Sequence, residues 1–199
     1  VQIKDLSLNI TDFVANGSFE DLRNNTEILD NEDYALYIRN TDLKEQNFNK
    51  YVSKDTYDFL KKSSLNGHEI IISNVGDVGS VFLCPILNKP MTLGNNLILL
   101  TNKNVEDNYY LYYFFKSDLG QYFLNGITSG SAQQKFNKTD LKKLKIPMLK
   151  ENKLIEFNKY SCPYKDCSHT NEKECKIKEL VNDKKILKSR YENYVNFVR

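Results

Sequence analysis

The chain is 199 residues long, 40% hydrophobic and 27% charged, which suits one sizeable soluble domain with room for a small appendix. No apolar run approaches the length of a membrane span, and the start "VQIKDLSLNI" lacks the basic-then-apolar order of a signal peptide, so a membrane location is excluded and a cytoplasmic one expected. The net charge of +2 conceals an uneven distribution, because residues 150–199 hold twelve Lys and Arg against eight Asp and Glu and residues 1–149 are left slightly acidic. With Val1 in place of an initiator Met, the chain is expected to be a processed or excised piece of something longer.

In chain order, "DYALYIRNTDL" places Tyr34, Leu36 and Ile38 at period two, which predicts a half-buried strand. "SKDTYDFLKKSS" predicts a helix with Ser53 or Asp55 at its N-cap. "HEIIISNVGDVGSVFLCP" reads as a hairpin whose Gly76 and Gly79 supply positive φ, and "NNLILLTN" as a further strand. Cys84, alone in "SVFLCPIL", reads as a small buried hydrophobe rather than half of a disulfide.

"EDNYYLYYFFKSDLGQYFLNGI" carries eight aromatic side chains between Tyr109 and Phe123. It predicts one helix capped by Asp107 and packed on most of its circumference, in preference to an aromatic platform for stacking bases. "SGSAQQKFNKTDLKKLKIP" then gives a Gly/Ser loop and a short helix, capped by Asn137 or Thr139 and stopped at Pro147. Lys135, Lys138, Lys142, Lys143 and Lys145 face only Asp140 in this stretch, a cluster that suits a polyanion or forms a solvated helix face. Strands and helices without a βαβ rhythm predict an α+β fold, with a twisted mixed or antiparallel sheet and flanking helices.

The C-terminal part holds Cys162, Cys167, His169 and Cys175 within fourteen residues. Three thiolates and one imidazole match a tetrahedral structural zinc site, whose closed coordination shell leaves no position for substrate. So polar a segment has little apolar surface to fold around, and metal binding is expected to contribute much of its folding free energy. After the ligands, "KELVNDKKILKSRYENYVNF" predicts two short helices broken around residues 182–184.

Enzyme motifs are missing: the chain has no GxxxxGK[ST] phosphate loop, no adenine methyltransferase DPPY or NPPY motif, no G-x-S-x-G elbow and no H-E-x-x-H. His68 in "LNGHEI" reads as a satisfied or exposed loop histidine and not as a catalytic base.

"VANGSFEDLRNN", "DYALYIRNTDL", "YVSKDTYDFLKKSSL", "EIIISNVGDVGSVF", "NKPMTLGNNLILL", "YLYYFFKSDLGQ" and "ITSGSAQQKFNKTDLKKLKIP", in this order, resemble the target recognition domain of type I restriction-modification specificity subunits. The resemblance covers residues 1–149. It implies a non-catalytic module that reads one short half of a bipartite site on double-stranded DNA. Its partners would be an adenine methyltransferase subunit, which flips the target adenine out of the duplex, and beyond it a restriction subunit. On that reading Lys135, Lys138, Lys142, Lys143 and Lys145 contact phosphates, Gln133 and Gln134 read adenine, and Arg39 or Arg23 reads guanine.

In that family a long helix follows the recognition domain; here it is cut short around "KENKLIEFNKY". The tail "CPYKDCSHTNEKECKIKELVNDKKILKSRYENYVNF" is similar instead to the C-terminal zinc module of the ribosome-small-subunit-dependent GTPases. That resemblance implies structural zinc on Cys162, Cys167, His169 and Cys175 in a module spanning residues 150–199. It also implies an alternative function, ribosome or RNA binding without GTPase activity. A third expectation is a homodimer through the C-terminal helices, which would rebuild two half-sites, and a recombinational chimera is a fourth.

Overall fold

Runs rich in Ile, Leu and Val between turn residues form eight strands among the described residues: β1 Asn9–Asp12, β2 Ala35–Ile38, β3 Tyr51–Val52, β4 Ser64–Leu65, β5 Ile70–Ser73, β6 Val81–Leu83, β7 Met91–Leu93 and β8 Leu97–Thr101. Among the helices that accompany them are α1 Phe19–Asn25, α2 Asn40–Glu45, α3 Lys54–Phe59, α4 Val105–Lys116, α5 Asp118–Ile127, α6 Lys138–Lys143 and α7 Lys176–Asn182. The structure, a computed structural model, describes residues 2–6, 8–102, 105–147, 162, 169–189, 191–192 and 195. The chain divides into two units, Val1–Ile146 and Pro147–Arg199. The fold of the first is α+β.

In the first unit the strands form two four-stranded sheets, in the orders β1-β8-β5-β6 and β3-β2-β7-β4. All pairs of the first sheet are antiparallel, whereas the second is mixed, with β2 parallel to β7. Leu36, Ile38, Leu65, Met91 and Leu93 of the mixed sheet share one core with Ile71, Leu97 and Leu99 of the antiparallel sheet. Cys84 belongs to this core as a buried thiol, and burial beside the Glu69 carboxylate pushes its pKa up, which keeps it protonated and inert.

Side-chain alternation sends the remaining strand residues to the outer faces. Ala35 and Tyr37 pack with Leu22 of α1 and Leu60 after α3, so β2 is buried on both faces and not half-buried as its period suggests. On the antiparallel sheet Ile70, Ile72, Ile98 and Leu100 are fully buried on the side covered by α4 and α6. Register decides one polar contact there. Asp12 pairs with Ile98 and so faces α6, where Lys138 Nζ meets Asp12 Oδ1 at 2.8 Å.

Caps follow local sequence. Ser18, Ser53, Ser117 and Asn137 each accept backbone N–H bonds in the first turns of α1, α3, α5 and α6. Ser53 and Asn137 are thus the caps between the alternatives, and α6 ends at Lys143, ahead of Pro147. The aromatic stretch corrects two expectations. It is two helices, because the Ser117 hydroxyl accepts the Gly120 N–H and starts a new helix, and Asp107 lies in the first turn of α4 rather than at its cap. Its circumference is not packed all round: Leu111, Phe114 and Phe115 are buried while Tyr113 and Tyr122 are largely exposed.

In the second unit α7 buries Ile177 and Leu180 against Cys175 and Ile186. The helix stops at Asn182, and Lys184 takes a positive φ of 59°, which places the expected break at 182–184. The stretch "KENKLIEFNKY" lies outside the described residues.

Candidate nucleic-acid interface and candidate metal centre

The antiparallel sheet has one end at which distant segments meet. Register aligns the end of β5 at Ser73 with the start of β8 at Leu97, and the end of β1 at Asp12 with Ile98. The turn after β5, residues 74–80, is built by Gly76 and Gly79 at φ 78° and 88°, as the hairpin reading requires. The loop holding Gln133, Gln134 and Lys135 docks on this turn. Gly76 N–H donates to the Gln134 carbonyl at 3.2 Å, Phe136 N–H to the Asn74 carbonyl at 3.1 Å, and Asn74 Nδ2 to the Phe136 carbonyl at 3.0 Å. With the backbone so engaged, the side chains of Gln133, Gln134 and Lys135 stand exposed.

The five lysines do not form one patch. Lys135 sits at the hairpin turn, whereas Lys138 is held by Asp12. Lys142, Lys143 and Lys145 are exposed at the other end of α6, where Ile3 N–H donates to the Leu144 carbonyl and Gln2 pairs with Lys145. Of the arginines, Arg39 is engaged internally: its Nε donates to both carboxylate oxygens of Asp42 at 3.1 and 3.0 Å, a bond that raises the guanidinium pKa further. Arg23 is exposed in the last turn of α1. His68 is a satisfied loop histidine, its Nδ1 lying 3.0 Å from the Tyr109 hydroxyl.

A polar knot braces the hairpin turn against α2. Asn40 Nδ2 donates to Asp77 Oδ2 at 3.0 Å, and Lys44 Nζ lies 2.7 Å from the same atom. Lys44, with Ser80 and Asn40, draws the Asp77 pKa from 3.8 to about 2. A depressed folded-state pKa means that the stabilisation is fully present above the unfolded value and is lost as pH falls through the folded one. Asp77→Asn is therefore expected to lower stability at pH 7 modestly, by under about 1 kcal/mol for so exposed a pair. In urea titrations its deficit against the unaltered chain should shrink between pH 4 and pH 2; a deficit that stays constant with pH would show that the pair contributes nothing.

In the second unit Cys162 Sγ, His169 Nδ1 and Cys175 Sγ converge. The sulfurs lie 3.9 Å apart, and the imidazole nitrogen is 3.5 Å from Cys162 and 3.3 Å from Cys175. Zinc bonds of about 2.3 Å to sulfur and 2.0 Å to nitrogen at the tetrahedral angle give edges of about 3.8 and 3.5 Å, so three corners of a tetrahedron are present. The three residues form a group of the kind that holds a metal ion. Cys167 lies outside the described residues. His169 adopts φ 60°, and the Tyr191 hydroxyl donates to its backbone carbonyl at 2.7 Å, which helps to hold the backbone at this position.

The family model described as "Type I restriction modification DNA specificity domain" matches residues 9–155. The chain belongs to this family. A DNA specificity domain accordingly makes up most of it. Part of the chain is also 52% identical over 40 residues to the small ribosomal subunit biogenesis GTPase RsgA of Thermotoga neapolitana, covering 20% of this chain and 14% of that protein. The same-named protein of Thermotoga maritima is 38% identical over 80 residues, 40% of this chain and 24% of its own length. The chain thus spans less than a quarter of the length of these curated relatives, and the likeness agrees with the resemblance of the C-terminal tail to their zinc module. Among solved structures, the type I restriction-modification S subunit from M. genitalium aligns at TM-score 0.48 and 18% identity, over 80% of this chain and 36% of that one. The type IIG restriction endonuclease BpuSI aligns at TM-score 0.45 and 12% identity, over 100% of this chain and 30% of that one.

Three amides of the specificity domain escaped the sequence reading although they stand beside Gln134 at the hairpin turn: Asn74, Asn95 and Asn96. Each sits in a turn, where Asn is ordinary. Only long-range pairing, with Asn74 N–H donating to the Asn96 carbonyl at 3.1 Å, reveals that they belong together. Among the described residues no helix is long and apolar enough to cross a membrane.

Proposed function

We propose that residues 1–149 form a non-catalytic recognition domain that reads one half of a bipartite DNA site and presents it to an adenine methyltransferase partner, with a restriction subunit joining the same complex. The family match over residues 9–155 carries this reading. Lys135, Lys142, Lys143 and Lys145 supply phosphate contacts, and Gln133 and Gln134 read base edges from the loop docked on the hairpin turn. Lys138 and Arg39, held by Asp12 and Asp42, brace the elements that carry the readers. Residues 150–199 form a module stapled by structural zinc on Cys162, Cys167, His169 and Cys175. The ion would close its shell with four protein ligands and fix the fold of the tail, with no part in chemistry. The protein functions in the cytoplasm.

Selection on a randomised duplex library at two salt concentrations, with the methyltransferase partner and a structured RNA control, tests the reading. An enriched short motif with affinity falling steeply in salt is expected. The reading is falsified if no duplex sequence is enriched even with the partner present.

The 52% identity to a ribosomal subunit biogenesis GTPase favours one second reading, a ribosome- or RNA-binding module led by the tail. Truncation after Pro147 separates the two: sequence-selective DNA binding survives it under the first, and nucleic-acid affinity largely vanishes under the second. Dimerisation through the C-terminal helices would supply a second half-site, and a strictly monomeric species in sedimentation at high concentration would rule it out.

A further inference from the structure

A cleft of about 380 Å³ opens beside the hairpin turn, with Asp12, Phe13, Phe19, Asn74, Asn95 and Asn96 among its lining residues. One wall is apolar. Phe13 packs edge-on against Tyr37, whereas Phe19 is 85% exposed, an unusual state for a phenylalanine in a water-soluble fold. The other wall is amide. Asn74 Oδ1 is buried without a hydrogen-bond partner, although its Nδ2 is engaged by the Phe136 carbonyl. Asn95 and Asn96 are held through their backbones, by the Asn95 N–H donating to the Tyr37 hydroxyl at 3.1 Å and by the Asn96 carbonyl accepting from Asn74. Their side chains are exposed, with no hydrogen bond to the described residues. The one carboxylate lining the cleft, Asp12, is neutralised by Lys138.

These two walls match one kind of base pair. An amide makes two hydrogen bonds to the N6 and N7 edge of adenine, and an apolar side chain meets the methyl group of thymine; guanine takes arginine or lysine instead. Arginine is scarce in this unit. Only Arg23 and Arg39 occur in residues 1–146, and Arg39 is locked to Asp42. β5 is paired with β8 as well as with β6, so the β5–β6 turn and the cleft beside it, not a free ribbon, form the surface offered to a groove. A second cleft, at Val78, Gly79 and Ser80 of the same turn, is lined by Lys116, a cation that suits a phosphate backbone, and by Lys44, which Asp77 already holds.

Resting on the DNA-reading function proposed above, we infer that the cleft beside the β5–β6 turn reads A·T base pairs in the major groove. Asn95 and Asn96 bond adenine, and Phe19 packs on the thymine methyl. The half-site therefore carries A·T pairs at the positions facing the cleft.

The test selects the full-length chain, the Asn95→Ala variant and the Phe19→Ala variant in parallel on a randomised duplex library, each with the methyltransferase partner present, after thermal melts confirm that all three fold. Both side chains are exposed, so the melts should coincide. The unaltered chain is expected to enrich a motif containing A·T pairs, and each variant to lose about tenfold in preference at one or more of those positions. The salt dependence of affinity should not change, because no phosphate contact is removed. If the variants enrich the same motif as strongly, or alter only G·C positions, the inference about the cleft is overturned while the DNA-reading function stands. If the unaltered chain enriches no motif, the function itself fails and the inference falls with it.

Discussion

Stripping metal from the full chain with a strong chelator is expected to melt the structure around Cys162, His169 and Cys175 while leaving the two sheets of the first unit folded. Among the described residues of the second unit, Cys175, Ile177, Leu180 and Ile186 form the buried core, with Cys162, Val181 and Tyr191 partly buried against it. Four side chains at about 1.5–3 kcal/mol each do not offset the ordering of so long a segment. A structural zinc ion contributes about 10–16 kcal/mol in small metal-folded modules. Hydrogen exchange reads the outcome region by region. Amides of Lys176–Asn182 should lose protection on chelation and regain it with added zinc, whereas those of β5 and β8 should not respond. Cys175→Ser should reproduce the loss and lower the bound zinc measured by atomic emission. Full zinc content in that variant, or unchanged protection after chelation, would refute the metal staple.

Gly120→Ala is the substitution expected to damage the first unit most per atom added. A Cβ at this position would lie 2.0 Å from the Phe114 carbonyl oxygen and 2.6 Å from the Phe115 Cα, both backbone atoms of the preceding helix. Neither can move unless the angle between α4 and α5 opens, and Phe115 is fully buried at that corner. Overpacking of this kind costs about 1–3 kcal/mol where flexible groups give way, and here the upper end or beyond is expected. The damage should travel. Gln121 Nε2 bridges the Phe115 carbonyl at 2.7 Å and the Gly79 carbonyl at 2.8 Å, so an opened corner releases the hairpin turn as well. Gly126→Ala is the control, since a Cβ there meets nothing within 4 Å. That exchange should be neutral or stabilise the helix by up to about 1 kcal/mol. Urea midpoints that coincide for Gly120→Ala and the unaltered chain would disprove the steric argument.

Local chemistry made much of this fold readable. The β5–β6 hairpin, the positive φ of Gly76 and Gly79, the caps at Ser53 and Asn137 and the buried state of Cys84 depend on a few adjacent residues, and each lies where those residues imply. The break at Ser117 was readable too, since Ser-Asp before an apolar stretch is a helix start, but eight aromatic side chains masked it. Strand β2 misled for another reason: period two reports alternation, and helices on one face with a second sheet on the other bury both sets of side chains. The candidate interface was the least legible part. Lysines adjacent in sequence separate once Lys138 turns to Asp12, and amides from three distant turns meet only because the strands beneath them pair. Of the four candidate ligands picked out by spacing, Cys162, His169 and Cys175 converge into a group able to hold a metal ion; Cys167 lies outside the described residues.

The placement of the first strand governs the order in which the molecule can be made. Translation delivers Asn9–Asp12 well ahead of its partner, since its only sheet neighbour among the described strands is Leu97–Thr101, and Ile3 bonds the carbonyl of Leu144. The leading segment therefore waits unpaired while most of the unit is synthesised, with its strand edge open to other nascent chains. Contacts so distant along the sequence also slow the closing step, since the entropy of a long loop is lost before the pairing rewards it. Low growth temperature and slow induction should thus raise the yield of folded material more than any added stability of the finished domain.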